Sequence, residues 1–241
     1  HSVVAHCLIE TNQAVYAVKR ERTIFPVGKF WATLTTPEVK YGLSHKHIKK
    51  VGDSILYKQA SLFTGYVDRF YALRKDFSTA NVPLYEHFCK ILLNSLYGKF
   101  GQKGEIWDLI GDCPGEPDRI EEYIDAVTRR RKRLRYLLGQ VWELSGFGET
   151  RHSFPAISSH VTAYARLYLW QLIQEAGTGN VFYCDTDSLF VNQTGLDNLS
   201  AYMADDILGR LKLEYATDTI TIYGLKDYNY FVGGFDCATS I

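Results

Sequence analysis

Two carboxylates interrupt an apolar run at Tyr183-Cys184-Asp185-Thr186-Asp187-Ser188, set between Val181-Phe182 and Leu189-Phe190-Val191. A run of that kind pairs and buries, and burying an unpaired carboxylate costs several kcal/mol, so cations or donors must meet Asp185 and Asp187. In an extended strand the two acids share a face; in a tight turn both reach the tip of a hairpin. Either geometry suits a divalent metal. Asp and Ser are also turn formers, so a D-x-D-S string by itself is more often a solvated hairpin than a metal site.

A second constellation points to phosphate chemistry. Lys90-Ile-Leu-Leu-Asn94-Ser95-Leu96-Tyr97-Gly98 follows a helix start at Asn81-Val82-Pro83, with Asn81 as the expected cap and Pro83 in the first turn. At 3.6 residues per turn Lys90, Asn94 and Tyr97 share one narrow face, while Tyr85, Phe88, Cys89, Leu92 and Leu96 fill the opposite one. Gly98 is expected to close the helix as a C-cap. A solvated stripe with one snorkelling lysine is the plain alternative. Asn94 and Ser95 are mediocre helix formers, however, and a cation, an amide and a phenol on one face suit a nucleotide. Acids for metal and a base for triphosphate together indicate phosphoryl transfer.

K-x-x-x-N-S-x-Y-G followed roughly ninety residues later by Y-x-D-T-D-S resembles motifs B and C of the family B DNA polymerases. Lys226-Asp227-Tyr228 resembles the K-x-Y element of that family, and Thr162-Ala163-Tyr164-Ala165-Arg166 resembles the T-A-x-A-R helix of its protein-primed branch in phages and linear plasmids. The form N-S-L-Y-G-K-F-G suits the same branch. The likeness spans about Val39 to Tyr230 and is motif-grade at these four places.

The resemblance implies a role for each matching position. Asp187 would be the metal-binding acid and Asp185 its supporting acid, with two Mg2+ ions, Mn2+ substituting, roughly 3.5–4 Å apart. One ion would activate the primer 3′-hydroxyl and the other would steady the triphosphate during in-line displacement. Lys90 would hold triphosphate, Asn94 and Tyr97 would border the incoming nucleotide, and backbone would approach closely at Gly98. Lys226 and Tyr228 would grip the primer strand. Arg74, on a helix preceding motif B with Lys75 beside it, is a further candidate triphosphate contact; an exposed helix end explains it equally. Arg166 is a candidate for template phosphate or a merely solvated arginine.

One departure matters. The family takes its other catalytic aspartate from an upstream D-x-x-S-L-Y-P string, which this sequence does not contain. Leu8-Ile9-Glu10-Thr11 has the glutamate of a D-I-E exonuclease pattern without its aspartate. The sequence opens on His1, and its single methionine is Met203. The expectation is a fragment beginning just past that upstream motif, inactive without the N-terminal part of the same polymerase.

Composition excludes some alternatives. The 241 residues are 46% hydrophobic and 22% charged, ordinary for a globular chain, and 27 Lys plus Arg balance 27 Asp plus Glu. No global positive field draws DNA, so a nucleic-acid surface must be local. Cysteines at 7, 89, 113, 184 and 237 form no C-x-x-C pair, which argues against zinc and a disulfide framework and for a reducing, cytoplasmic compartment, an organellar one remaining compatible. No apolar run reaches a membrane span, and no signal peptide is visible. The expected partners are template and primer DNA, dNTP, a terminal protein primer if the branch assignment holds, and no membrane.

The elements that must position these residues follow from local pattern. The first sixty residues show β-type runs at Ala14–Val18 and Phe30–Leu34, with a helix from Thr36-Pro37-Glu38. Residues 65–100 read as two antiparallel helices broken at Ser78-Thr79-Ala80-Asn81. From 101 to 155 the character changes: Cys113-Pro114-Gly115-Glu116-Pro117 is a break, and Arg129 to Arg135 is a basic run. That run suits phosphate contacts, or else is balanced by Glu116, Asp118, Glu121, Glu122 and Asp125. A helix over 157–175, the acid hairpin over 181–191, a helix over 196–208 and closing strands complete the order. The expected class is α+β: a polymerase palm of antiparallel sheet with packed helices (1–64 and 156–241), helical-hairpin fingers (65–100) and an inserted subdomain (101–155). The rivals are a nucleic-acid-primed family B enzyme and a noncatalytic nucleic-acid-binding module.

Overall fold

The computed structural model describes residues 1–205, 207–217, 219–232 and 235–239, from 231 onward as backbone only. The chain is mixed α+β. Strands β1 (Ser2–Thr11), β2 (Val18–Lys19), β3 (Thr23–Ile24) and β4 (Gly28–Thr35) lead into helix α1 (Thr36–Ser44) and strand β5 (Ile48–Tyr57). Helices α2 (Thr64–Thr79) and α3 (Pro83–Gly101) precede β6 (Lys103–Asp112), β7 (Arg119–Ile124), β8 (Arg131–Leu137) and β9 (Gln140–Glu149). Then come α4 (Pro155–Ala176), β10 (Val181–Asp185), β11 (Ser188–Val191), α5 (Gln193–Asn198), β12 (Ile220–Gly224), β13 (Asp227–Val232) and β14 (Phe235–Thr239). Two compact units divide the chain: 1–6 with 33–36 and 51–162, and 7–32 with 37–50 and 163–241.

In the first unit α2 and α3 form an antiparallel helical hairpin. Glu86, Cys89, Leu93, Leu96 and Phe100 recur every three to four residues and are the less exposed positions of α3. Phe63 meets Phe100 at 5.3 Å and Phe77 meets Tyr85 at 5.2 Å, which fixes the antiparallel pairing. Two expectations need correction. Asn81 does not cap α3: with φ 55 it closes the end of α2, its amide and that of Val82 bonding Ser78 and Phe77 carbonyls. Asn tolerates the left-handed backbone there, and Val82 stands at the α3 N-cap without a side-chain bond. Gly98 lies inside the helix, which runs on to Gly101, where a Cβ would sit 2.7 Å from Ser158 Oγ. Phe88 and Leu92, assigned to the packed face, stand 50% and 39% exposed, because the contact stripe is rotated towards Cys89 and Leu93.

The inserted segment is a four-stranded antiparallel sheet in the order β6-β9-β8-β7. Charges cover both of its faces. Arg133 is bound to Glu105 and Glu122, Lys132 to Glu143 and Asp125, and Arg131 lies 3.6 Å from Glu122. Arg135 stacks 4.5 Å from the ring centre of Trp107, and Arg119 lies 3.8 Å from that of Tyr136. Much of the basic run is therefore matched by acids of this segment, Glu122 and Asp125 among those expected.

In the second unit the apolar core includes Cys7, Ile9, Val15, Tyr16 and Ala32. Ala14–Val18 is mostly a turn and not the expected strand, since its apolar side chains Val15 and Tyr16 fill the core from an irregular segment. Tyr16 is fully buried, and its hydroxyl lies 3.0 Å from Nδ1 of buried His47, whose Nε2 is 3.4 Å from Thr11 Oγ1. A neutral ring satisfies both hydroxyl neighbours, one nitrogen accepting and the other donating. The helix expected over 196–208 is also corrected: α5 spans Gln193–Asn198, a 3₁₀ turn covers Ser200–Tyr202, and Met203 bridges Leu211. Asn192 starts α5 early by accepting from Gly195 N–H at 2.9 Å. Asp206 of that range, the Cys237 side chain and the chain end assigned to the closing strands lie outside the described residues.

An alanine usually gains about 1 kcal/mol over glycine inside a helix. At Gly42 in α1 a Cβ would lie 2.9 Å from both Ile48 Cγ1 and Tyr16 Oη, so Gly42→Ala is expected to destabilise by about 1–3 kcal/mol in thermal denaturation. Burial, then His45 and Lys49, holds the His47 pKa below its ordinary value. The unfolded ring takes up a proton near pH 6.5 while the native ring stays neutral, so stability falls as pH drops below about 6.5 until the depressed native pKa is reached. Urea midpoints across that range should decline in the native sequence and flatten in His47→Gln.

Candidate functional site

The acids sit at a hairpin tip. Strands β10 and β11 pair Asp185 with Ser188, leaving Thr186 and Asp187 as the two-residue loop. Thr186 has φ 54, a left-handed backbone that costs a β-branched residue on the order of 1–3 kcal/mol. Its hydroxyl donates to Asp185 Oδ1 at 3.0 Å, and Ser188 Oγ donates to the Asp185 carbonyl at 3.1 Å. The turn thereby carries its own donors.

Packing fixes the base of this hairpin. Leu172, Ala176 and Leu199 form a buried cluster on which Val181, Leu189 and Val191 rest. Asn180 donates to the Ala176 carbonyl at 2.8 Å and accepts from Asn192 Nδ2 at 3.1 Å, so both strand ends are tied to the C-terminus of α4. This asparagine staple was not foreseen; its only sequence signal is an amide residue flanking each strand.

The K-x-Y element folds against the same hairpin. Lys226, φ 57, stands in the two-residue turn between β12 and β13, and its amide donates to the Tyr183 hydroxyl at 2.7 Å. Its ammonium lies 3.6 Å from Asp185 Oδ1, whose side chain is 21% exposed. Tyr228 packs 5.4 Å from Tyr183 and 5.2 Å from Phe190, ring centre to ring centre. Lys226, Tyr228 and Asp185 thus converge, and Tyr183, two residues before Asp185 on the same strand face, is the unforeseen link. The Asp187 side chain is exposed and has no bonded partner among the described residues. Carboxylate oxygen is the donor that magnesium prefers, and an unengaged carboxylate beside one held by a lysine fits that chemistry. Among the described residues no three His, Cys, Asp or Glu side chains gather at metal-binding geometry, so the pair is at most part of a ligand set.

In the other unit Lys90, Asn94, Tyr97 and Gly98 lie exposed along α3, with open space where a Gly98 Cβ would stand. They share one accessible side of the helix, apart from the less exposed Leu93 and Leu96. Arg74 is 3.5 Å from Glu86 across the helical hairpin, a contact that orders it there. Arg166 donates to Glu38 Oε1 at 3.0 Å; Glu38 is 4% exposed, so this arginine neutralises a buried acid on α1.

Residues 5–108 match the family described as DNA polymerase type B, organellar and viral. A probable DNA polymerase of Neurospora intermedia is 28% identical over 210 residues, covering 86% of this chain and 21% of that protein. The DNA-directed DNA polymerase of Enterobacteria phage PRD1 is 26% identical over 189 residues, 75% of this chain and 31% of that protein. Phi29 DNA polymerase, in a ternary complex with primer-template DNA and incoming nucleotide substrates, superposes with TM-score 0.62 at 17% identity, over 96% of this chain and 39% of its own. The chain therefore spans about a fifth to two fifths of the proteins it matches. On its sequence matches and the order of its motifs, the chain is similar to the type B DNA polymerases, organellar and viral.

Proposed function

We propose that this chain forms the palm and fingers of a DNA-directed DNA polymerase that replicates a viral or plasmid genome, transferring dNTP to a primer hydroxyl. The observation that carries the reading is the joining of Asp185, Lys226 and Tyr228 around one hairpin, downstream of the Lys90–Gly98 helix. The phi29 enzyme that shares the fold is bound to primer-template DNA and nucleotides, which supports the same partners here. Matches to phage PRD1 and Neurospora polymerases support the protein-primed branch, with a terminal protein hydroxyl replacing the primer at initiation.

Magnesium ions, when bound, would supply the charge that lowers the barrier to attack on the α-phosphate. Asp187, exposed at the tip with no bonded partner among the described residues, would be the ligand; Asp185 would support the site, and Lys226 offsets the cost of holding that carboxylate half-buried. Lys226 and Tyr228 hold the primer end, Tyr183 keeping their turn beside the acids. Lys90 neutralises triphosphate oxygens; Asn94 and Tyr97 bound the nucleotide, and Gly98 leaves room for close approach. Arg74 is a further triphosphate contact if it leaves Glu86, and Arg166 acts on DNA only through the helix it steadies. The remaining carboxylate of the two-metal set is proposed to come from a D-x-x-S-L-Y-P segment of the same polymerase, which these 241 residues do not include.

Joined to such a segment, the chain should extend a primed template, and Asp187→Ala should reduce extension by several orders of magnitude with primer-template binding retained. Equal extension by that variant would refute the assignment; DNA binding without any extension in the parent would favour the noncatalytic module. Lys90→Ala should raise KM for dNTP about 10–150-fold, equivalent to about 1.5–3 kcal/mol for a lost charged hydrogen bond. Tyr183→Phe should speed hydrogen exchange at the Lys226 amide and cost about 1 kcal/mol.

A further inference from the structure

The charge neutrality of the chain hides a segregation. Within the second unit, residues 7–32 and 37–50 carry eight lysines and arginines against three carboxylates, and one of those three, Glu38, is buried against Arg166. One of these cations, Lys40, borders a groove of about 720 Å³ between α1 and α4. From α1 it is lined by Lys40, Tyr41 and His45, and from α4 by Tyr164, Tyr168 and Gln171. Among the described residues no carboxylate lines it.

Its aromatic wall is held in place. Tyr41 stacks on His45 with ring centres 4.0 Å apart, accepts from Trp170 Nε1 at 2.9 Å and donates to Gln13 Oε1 at 2.9 Å. Tyr168 donates to the Gly209 carbonyl, and the Tyr164 ring stands 54% exposed. At His45 the groove meets a second depression, of about 650 Å³, lined by Asn12, Lys46 and Lys49 together with Glu10, whose carboxylate is 3.9 Å from Lys49. The basic loop is rigid: His47 N–H bonds the Gly42 carbonyl and Lys46 N–H that of Leu43, closing α1 with Lys46 at φ 58. Glycine is the residue that fits that left-handed position best. Lys46 occupies it instead, and its ammonium has no carboxylate partner among the described residues.

We propose that this groove and basic loop bind a single-stranded polynucleotide, with phosphates along Lys40, Lys46 and Lys49 and bases stacked on Tyr164 and on the His45–Tyr41 pair. Aromatic platforms flanked by ammonium groups are what sequence-tolerant single-strand recognition requires. Amides such as Gln171 add hydrogen bonds to base edges. The strand lies on α1 and α4, elements other than the hairpin tip that bears Asp185 and Asp187, so it is a separate contact and not the primer end.

The test is fluorescence anisotropy of labelled dT12 and U12 with the full chain at several salt concentrations. Lys46→Gly separates the roles, because it relieves the left-handed backbone: the melting temperature should hold or rise while affinity falls several-fold. Replacing Lys40, Lys46 and Lys49 together by Gln should lower the slope of log affinity on log salt by about 2. Tyr164→Ala should weaken binding about 5–150-fold, with Tyr164→Phe restoring it. Preference for dT12 or U12 identifies the strand as DNA or RNA, and either upholds the site. Unchanged affinity in Lys46→Gly and Tyr164→Ala, absence of binding, or equal binding of poly-glutamate would overturn it.

Discussion

Asp185 is an acid on a strand whose neighbours are apolar, and the second unit is arranged so that this charge is tolerable. Lys226 stands opposite it, Thr186 donates to it, and Tyr183 holds the lysine turn by its amide. None of these contacts would persist on a hairpin free to slide. The register is kept by Val181, Leu189 and Val191 on the Leu172 cluster and by the Asn180–Asn192 staple at the strand ends. Apolar burial thus sets the position, and polar contacts then offset the cost of the charge placed there. The strained Thr186 backbone is sustained by the same surroundings.

Much of this was legible because the relevant signals are local. Asp185 and Asp187 interrupt an apolar run, and only a turn or a strand edge accommodates that. Pro83 marks the start of α3 and the break near Ser78 its separation from α2, since both act through the backbone of a few residues. What escaped was non-local. The choice of Leu93 over Leu92 as the inward position depends on where α2 lies. Asn81 serves the preceding helix because its conformation is set by that helix's carbonyls. Tyr16 looked like strand and proved to be core, for period-two patterning does not describe an irregular segment that delivers a buried ring. The Lys226–Asp185 pair joins residues forty-one apart, beyond any spacing rule.

The inserted sheet obeys a different logic from the rest. Its strands bury little apolar surface and are instead cross-linked by carboxylates and guanidinium groups, with indole and phenol rings between them. Exposed ion pairs contribute about 0–1 kcal/mol each, so such a sheet owes its order to many small terms acting together with the β6–β9 ladder. Matched charges also leave less of the basic run available to an outside anion than its composition suggests.

That interlacing has an evolutionary corollary. Reversing one charge at Arg133 would strand two carboxylates at once, so drift in this segment must proceed by compensated exchanges between β7, β8 and the flanking strands. Apolar cores forgive conservative swaps one at a time, whereas a lattice of opposite charges does not. Related sequences are therefore expected to diverge here in covarying pairs, preserving the balance of sign while the individual residues change.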